Sequence, residues 1–477
     1  MFELVQIPQS ILIVTKWIYI LFVISTTIVV LLDNKGAIKT WAWLMVIIFV
    51  PIIGVVLYYL LGHYSQKERM ISKRQANMIK RQTLIANNNP EQDIPPIYRS
   101  WTRLFFQTNQ SVPLGNNGVT IFTKGQQKID ALLRDISEAK EHIHVQYYII
   151  ANDAVGLEVR DLLIKKAEAG VEVRVIYDDV GCWNVPKSFY EPMYTAGIEV
   201  RAFLKVRFPK FTSHINYRNH RKLVIIDGQI GYIGGMNLAQ RYIDGTPFES
   251  WRDTHIRVVG SAAHGLQSSF LLDWYFVDRS ILTDKKYFPT PIIGGKVLMQ
   301  MVTSSPVYKW KEIHQGLVRM ITFSSDYIYI QTPYFIPSDE IINAMQTAAL
   351  SGTSVELMIP EKGDSAVTQL SSFFFLEKLL EAGVKIYLYQ AGFLHSKMLV
   401  SDDTMCTVGS ANIDHRSFDH NFEINAMIYD QEVSKEMRDI FIEDKKNCRE
   451  LSLEEWTKRG KVDRLLQGIA RLFAPLL

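Results

Sequence analysis

Two long apolar runs open the chain. Ile11 to Leu32 is 22 residues long, interrupted by Lys16 and a few Ser and Thr. At about 1.5 Å of rise per residue it spans about 33 Å, enough for a hydrocarbon core. A second run extends from Trp41 to Gly62 and contains Pro51 and Gly54, both tolerated in membrane helices. Only Asp33 to Lys39 joins them, so the pattern predicts a two-helix transmembrane hairpin over residues 1–65. There is no basic start and no small-residue cleavage site before the second run, which argues against a cleaved signal peptide.

Residues 66–112 read as a basic juxtamembrane linker, polar and proline-containing toward its end (NNNPEQDIPP). From Pro113 onward, short Val/Ile-rich runs alternate with amphipathic helical stretches such as GLEVRDLLIKKAEAG. That alternation predicts an α/β fold, a parallel or mixed sheet covered by helices. It also repeats. IHVQYYII (143–150) resembles IYIQTPYFI (328–336), aligning Gln146 with Gln331, and GVEVRVIYDD and GIEVRAF resemble GTSVELMIPE and GVKIYLY. Two lobes related by a pseudo-twofold axis, residues 113–305 and 306–477, are therefore expected to form one unit.

Charge sets an orientation. Lys67, Arg69, Lys73, Arg74, Lys80 and Arg81 follow the second run, against Lys35 and Lys39 in the connecting loop. The positive-inside rule puts everything after Gly62 in the cytoplasm, with the chain in the cell membrane. The same basic stretch suits anionic lipid heads or a solvated linker. The net charge of +3 is too small for a bulk polyanion binder, and no basic stripe with interleaved aromatics suggests nucleic acid. Cys182, Cys406 and Cys448 are odd in number and form no C-x-x-C pair, so no disulfide framework or cysteine zinc site is expected.

The repeat carries chemistry. HRKLVIIDGQIGYIGGMN begins at His220 and HSKMLVSDDTMCTVGSAN at His395; both fit His-x-Lys-x-x-x-x-Asp. Small residues follow at the same offset (Gly234-Gly235, Gly409-Ser410), then Asn237 and Asn412. One such match arises by chance in roughly one chain in thirty of this length; two with identical tails do not. On a strand His220 and Lys222 face one side, as do His395 and Lys397, while Asp227 and Asp402 fall on the other and are expected to support from behind. Asp227-Gly228 reads as a hairpin turn that returns Asn237 beside the histidine. The small residues, Gly235 and Ser410 among them, are expected to let a ligand approach the backbone.

Duplicated imidazole, ammonium and amide groups suit phosphate. One neutral imidazole can attack phosphorus while a protonated one donates to the leaving alkoxide. Lysines and asparagines can hold the non-bridging oxygens. This set needs neither metal nor cofactor, and lysine is not a usual metal ligand.

The paired motifs resemble those of the phospholipase D superfamily. The N-terminal WAWLMVIIFVPIIGVVLYYLLG, HIHVQYYII, WRDTHIRVVG, IQTPYFIP and GSANIDHRSFDHNFE are similar to the bacterial cardiolipin synthases, from about residue 10 to the end. The resemblance implies phospholipase D-like lobes and catalytic roles for His220, Lys222, Asp227, His395, Lys397 and Asp402. It suggests His220 as nucleophile and His395 as general acid, an order the residues alone leave open. It implies transfer of a phosphatidyl group from one phosphatidylglycerol to another, forming cardiolipin and glycerol. Hydrolysis by water, or transfer to a different alcohol, are the alternatives. Two carboxylates are expected to fix the histidine tautomers: Glu423, 28 residues after His395, and Asp253, 33 after His220, each serving its own half. The first half carries an 11-residue insertion before its motif, with Lys205, Arg207, Lys210 and Arg218 among aromatics, either a lipid-facing or an ordinary surface loop. RLLQGIARLFAPLL at the end reads as a helix packed on the lobes, with an interfacial helix the other reading.

Overall fold

The computed structural model describes residues 9–33, 37–59, 79, 94–206 and 217–474. The basic residues 67–81, most of the linker and Arg207 and Lys210 of the insertion lie outside them. The described residues form two compact units, N-terminal helices and an α/β body.

In the first unit a helix spans Gln9–Leu32, and its Ile13–Leu32 stretch is long and apolar enough to cross a membrane. The second run is not one straight span. It divides into Ala37–Phe49 and Pro51–Leu57, with Val50 out of helical geometry at φ −133°, ψ 65°. Pro51 has no N–H to continue the ladder and its ring crowds the preceding turn, so the chain bends there. A Cβ on Gly54 would lie 2.6 Å from the Val46 carbonyl oxygen, so glycine is what allows the bend to close. Tyr58 donates a hydrogen bond to Asp33 at 2.7 Å.

The body is built on one fifteen-stranded sheet, with a separate two-stranded pair, Trp251–Arg252 and Phe393–Leu394, beside it. In the first half its strands are β1 (Leu114–Phe122), β2 (His142–Tyr147), β3 (Glu172–Asp178), β4 (Glu199–Phe203), β5 (Leu223–Ile226), β6 (Ile230–Gly234), the two-residue β7 (Trp251–Arg252) and β8 (His255–Val259). The second half follows with β9 (Val297–Ser304), β10 (Tyr327–Gln331), β11 (Ser354–Pro360), β12 (Lys385–Tyr389), β13 (Phe393–Leu394), β14 (Met398–Ser401), β15 (Met405–Gly409), β16 (Glu423–Tyr429) and β17 (Cys448–Leu451). The spatial order is β17-β12-β11-β10-β14-β15-β16-β9-β1-β8-β6-β5-β2-β3-β4. Read outward from the β9–β1 junction, β1-β8-β6-β5-β2-β3-β4 matches β9-β16-β15-β14-β10-β11-β12 strand for strand. By its pairing, β9 opens the second half.

In each half three strands run parallel, and the hairpin that follows the histidine motif pairs antiparallel beside them. β2 and β5 are buried at every position; β5 (LVII) reads as a continuous apolar run, while β2 (HIHVQY) alternates apolar residues with buried polar ones. Helices Gly125–Glu138 and Ala154–Glu168 help bury the first half's apolar core, and Glu312–Phe323 and Asp339–Leu350 the second's. Helices Ala262–Asp278 and Gln431–Lys445 occupy matching positions after β8 and β16.

Asp227 and Asp402 belong to this framework and are not among the residues lining the reactive cleft. Each sits at the tip of the motif hairpin in left-handed conformation, φ 52° and 51°. The Asp227 carboxylate accepts from the backbone N–H groups of Lys140, Glu141 and His142 at 2.8, 2.8 and 2.9 Å. The Asp402 carboxylate accepts from Ser325, Asp326 and Tyr327 at 2.8, 3.0 and 2.8 Å. The parity that turns them from the histidines holds, but the strand ends one residue earlier and the side chain staples the start of the next central strand. Each charge-assisted bond is worth about 1.5–3 kcal/mol, and truncating either carboxylate removes three of them. Asp227→Ala and Asp402→Ala are therefore expected to lower the thermal midpoint in detergent while leaving kcat of the folded protein near wild type. Unchanged melting with lost kcat would return these carboxylates to the chemistry.

Candidate active site

The two histidines meet where the halves touch a second time, opposite the β9–β1 junction. The His220 N–H donates to the Phe422 carbonyl at 2.9 Å, and the His395 N–H to the Arg252 carbonyl at 2.7 Å. β13 pairs with β7, and Asn219 bridges to Phe422 in the same sense. Each motif is thus docked onto the residue that precedes the other half's acid. The carboxylate that follows falls against the foreign histidine.

The expected within-half pairing is therefore corrected to a crossed one. His220 Nδ1 lies 3.0 and 3.1 Å from the two Glu423 oxygens, and His395 Nδ1 lies 2.6 Å from Asp253 Oδ2. Spacing along the chain measures nearness within a half, whereas the seam strands set these contacts. With Nδ1–H donated to a carboxylate, Nε2 is left on the far side of each ring.

Gly235 and Ser410 serve the acids rather than open a path for a ligand. A Cβ on Gly235 would lie 2.1 Å from Asp253 Oδ1, so only glycine leaves room for that carboxylate. Ser410, its counterpart, donates its hydroxyl to Glu423, and its carbonyl oxygen lies 3.1 Å from His220 Nδ1. Asn421 adds an amide donor to Glu423 at 3.1 Å.

Both rings line one cavity of about 330 Å³, together with Asn237 and Asn412. Asn237 accepts from the Ile149 N–H at 3.1 Å and donates to Tyr242 at 2.7 Å. Asn412 donates to Asp414 at 3.0 Å, and its carbonyl oxygen has no hydrogen-bond partner among the described residues. Lys222 donates to the His220 carbonyl at 2.6 Å. Lys397 donates to the His395 carbonyl and holds its ammonium 2.9 Å from His395 Nδ1.

Burial dominates the electrostatics. Tyr148 stands edge-on to His220 at 5.1 Å between ring centres, and Trp251 lies 5.6 Å from His395. Desolvation pushes His220 down to about 4, against Glu423, which favours the charged ring. It pushes His395 down to about 3, with the Lys397 charge adding to the effect. The buried ammoniums of Lys222 and Lys397 are pushed down to about 7 and about 8. Burial works to raise Glu423, but its interactions with His220, Lys222 and Ser410 hold it below the usual glutamate value. At neutral pH the site presents two neutral imidazoles, each with a free Nε2 lone pair.

Sequence reasoning passes over Arg241, Tyr242, Tyr334, Asp364, Asp414 and Arg416, which also line the cavity. The aligned Gln146 and Gln331 segments hold part of the signal. The residues just after each (Tyr148-Ile149, Tyr334) leave the central strand at the cavity wall. Among the described residues no group of three or more His, Cys, Asp and Glu side chains is placed to hold a metal ion.

The chain is similar to known proteins over nearly its whole length. The family model described as cardiolipin synthase, PLD-like domain matches twice, at residues 132–251 and 317–445. The phospholipase D-nuclease N-terminal model matches residues 17–63. The cardiolipin synthase of Oceanobacillus iheyensis is 40% identical over 460 residues, covering 94% of this chain and 96% of that one. The major cardiolipin synthase of Bacillus subtilis is 38% identical, covering 96% and 98%. Among solved structures, the phosphatidylserine synthase of Haemophilus influenzae shares the fold at a TM-score of 0.61 and 13% identity, over 80% of this chain and all of that one.

The crossed pairs make a sharp expectation. Glu423→Gln and Asp253→Asn are expected to fold and to lower kcat by about 10²–10⁴-fold, as loss of the orienting carboxylate does in other histidine–acid pairs. In ¹⁵N spectra the His395 ring should respond to Asp253→Asn and the His220 ring to Glu423→Gln; the opposite assignment would restore within-half pairing. Because Glu423 favours the protonated ring, its neutralisation lowers the His220 pKa further. The acid limb of the pH–rate profile, already below the ordinary histidine value of 6.5, should move to still lower pH in Glu423→Gln.

Proposed function

The chain belongs to the cardiolipin synthase family of the phospholipase D superfamily, and on that premise we propose that it transfers a phosphatidyl group from one phosphatidylglycerol to another. The observation that carries the reading is the pair of neutral, carboxylate-held imidazoles lining one cavity. His220 Nε2 attacks the phosphorus of the first lipid, and the bond to the glycerol oxygen breaks. The anionic phosphodiester raises the pKa of the buried His395 on binding, so that ring carries the proton which the leaving oxygen takes. Glycerol departs and a phosphatidyl-histidine remains. Now neutral, His395 takes the proton from a glycerol hydroxyl of the second lipid, whose oxygen displaces His220 and forms cardiolipin. Lys222 and Lys397, turned to their own backbone carbonyls in the free protein, and the amides of Asn237 and Asn412 supply donors for the non-bridging oxygens.

Purified protein given phosphatidylglycerol alone is expected to yield cardiolipin and glycerol in equal amounts, undiminished by EDTA. His220→Ala and His395→Ala should each abolish it, and a labelled phosphatidyl adduct should appear on His220 when turnover is interrupted. Free phosphatidic acid as the main product would make the protein a phosphodiesterase, and activity that EDTA removes and a divalent metal restores would overturn the metal-free route.

The N-terminal apolar helix associates the protein with membrane. We further infer that two passes leave the lobes on the cytoplasmic side of the cell membrane, from the basic residues 67–81. Gly36→Cys should then react with an impermeant thiol reagent in intact cells, and Leu350→Cys on the lobe surface should not. The reverse pattern would invert the orientation.

A further inference from the structure

The last helix among the described residues, Lys461–Arg471, packs on helix Ala366–Phe374 through a narrow face of Gln467 and small residues. Gln467 and Ala470 are buried there, continued by Ala474. Its apolar stripe faces away from the protein: Val462, Leu465, Leu466, Ile469, Leu472 and Phe473 are each at least 46% exposed. Their spacing is that of one helical face. An amphipathic helix on a soluble fold buries this face; here it is turned out, so its cover lies outside the described protein.

Two further observations say what that cover is. Lys461, Arg464 and Arg471 outnumber Asp463 within the helix, three to one. Lys461 flanks the stripe, while Arg471 sits 4.4 Å above the Phe374 ring and Arg464 lies 3.8 Å from Glu377 on the polar side. An apolar stripe beside a net-basic polar side complements an anionic bilayer surface. The helix beneath leads to the reaction: Ser365 and Thr368 line the catalytic cavity, and Val367 between them is 43% exposed. A cavity of about 330 Å³ admits a phosphorylated headgroup but not two acyl chains. The tails of any lipid bound there must stay outside, in continuous apolar surroundings.

We propose that Lys461–Phe473 is an interfacial helix that beds its apolar stripe among the headgroups of an anionic bilayer and so sets the cavity mouth at the lipid surface. It acts on any lipid the cavity takes and does not depend on which headgroup is transferred. The test uses full-length protein in liposomes of phosphatidylglycerol and phosphatidylcholine. Nitroxide labels go on Leu466→Cys, Ile469→Cys and, as an aqueous control, Asp463→Cys, in a Cys448→Ser background, since Cys182 and Cys406 are buried. Labels at 466 and 469 should collide preferentially with oxygen and the label at 463 with a water-soluble nickel chelate. The contrast should weaken in pure phosphatidylcholine or at about 0.5 M salt, where attraction to the surface is lost or screened. Equal access of nickel to 466 and 463 in anionic liposomes overturns the proposal. So does shielding of 466 from both reagents, which would mean cover by a second copy or by another segment of this chain. Leu465→Glu with Leu466→Glu, at exposed positions, should lower turnover of liposomal lipid about tenfold and change turnover of a short-chain, water-dispersed analogue by less than about twofold. Equal loss on both substrates, with unchanged melting, would count against it. The collision measurement needs no turnover, so it stands or falls apart from the transfer reaction.

Discussion

The candidate site depends on two buried imidazole–carboxylate pairs, each made of one residue from either half. A carboxylate taken out of water is costly unless its lone pairs are met. Glu423 is met by His220, Ser410 and Asn421. Asp253 is met by His395 and by the N–H of Thr254 at 2.7 Å. Removing one partner from such a pair leaves an uncompensated buried charge, at about 3–5 kcal/mol. The seam strands, the glycine at 235 and the serine at 410 all follow from the need to satisfy these acids. The same desolvation lowers the pKa of both imidazoles, so the features that fix the rings also favour their neutral form.

Crossing has a structural logic. The segment before each acid forms a bridge with the segment before each histidine of the opposite half. Registering that bridge places the acid one residue further on, with no other element needed. Neither half contains a complete pair. Damage to Asp253 is felt by the histidine 142 residues downstream, and damage to Glu423 by the one 203 residues upstream.

Much of this was legible in the chain. The doubled motif, the strand–helix alternation and the hairpin turn at Asp227-Gly228, with its positive φ at both positions, are local features, and local pattern is what sequence records. Asp253 and Glu423 stand out as candidate orienters because each is a carboxylate downstream of a motif in a strand-like stretch, although Asp253 falls between β7 and β8 and only Glu423 lies in a strand. Which histidine each one meets is a property of the seam, and no spacing encodes it. Strand parity places Asp227 and Asp402 behind the histidines, as found. The motif resemblance nevertheless groups them with the catalytic residues, and Gly235 and Ser410 read as room for a ligand, because motif membership does not distinguish a residue that touches substrate from one that holds a turn or makes room for an acid. The break at Pro51 was hidden because hydropathy sums over a run and is blind to the missing N–H. The outward apolar stripe near the C-terminus was visible as periodicity, but periodicity does not say which way a helix faces.

The β9–β1 ladder joins the halves into one sheet, and the β7–β13 contact ties them again on the side of the histidines. Two lobes joined by a linker can part around a hinge; two lobes joined by main-chain hydrogen bonds on both sides cannot do so without breaking strands. Moving the two imidazoles apart would mean breaking a ladder, so the distance between the rings is set by the backbone and not by what occupies the cavity between them.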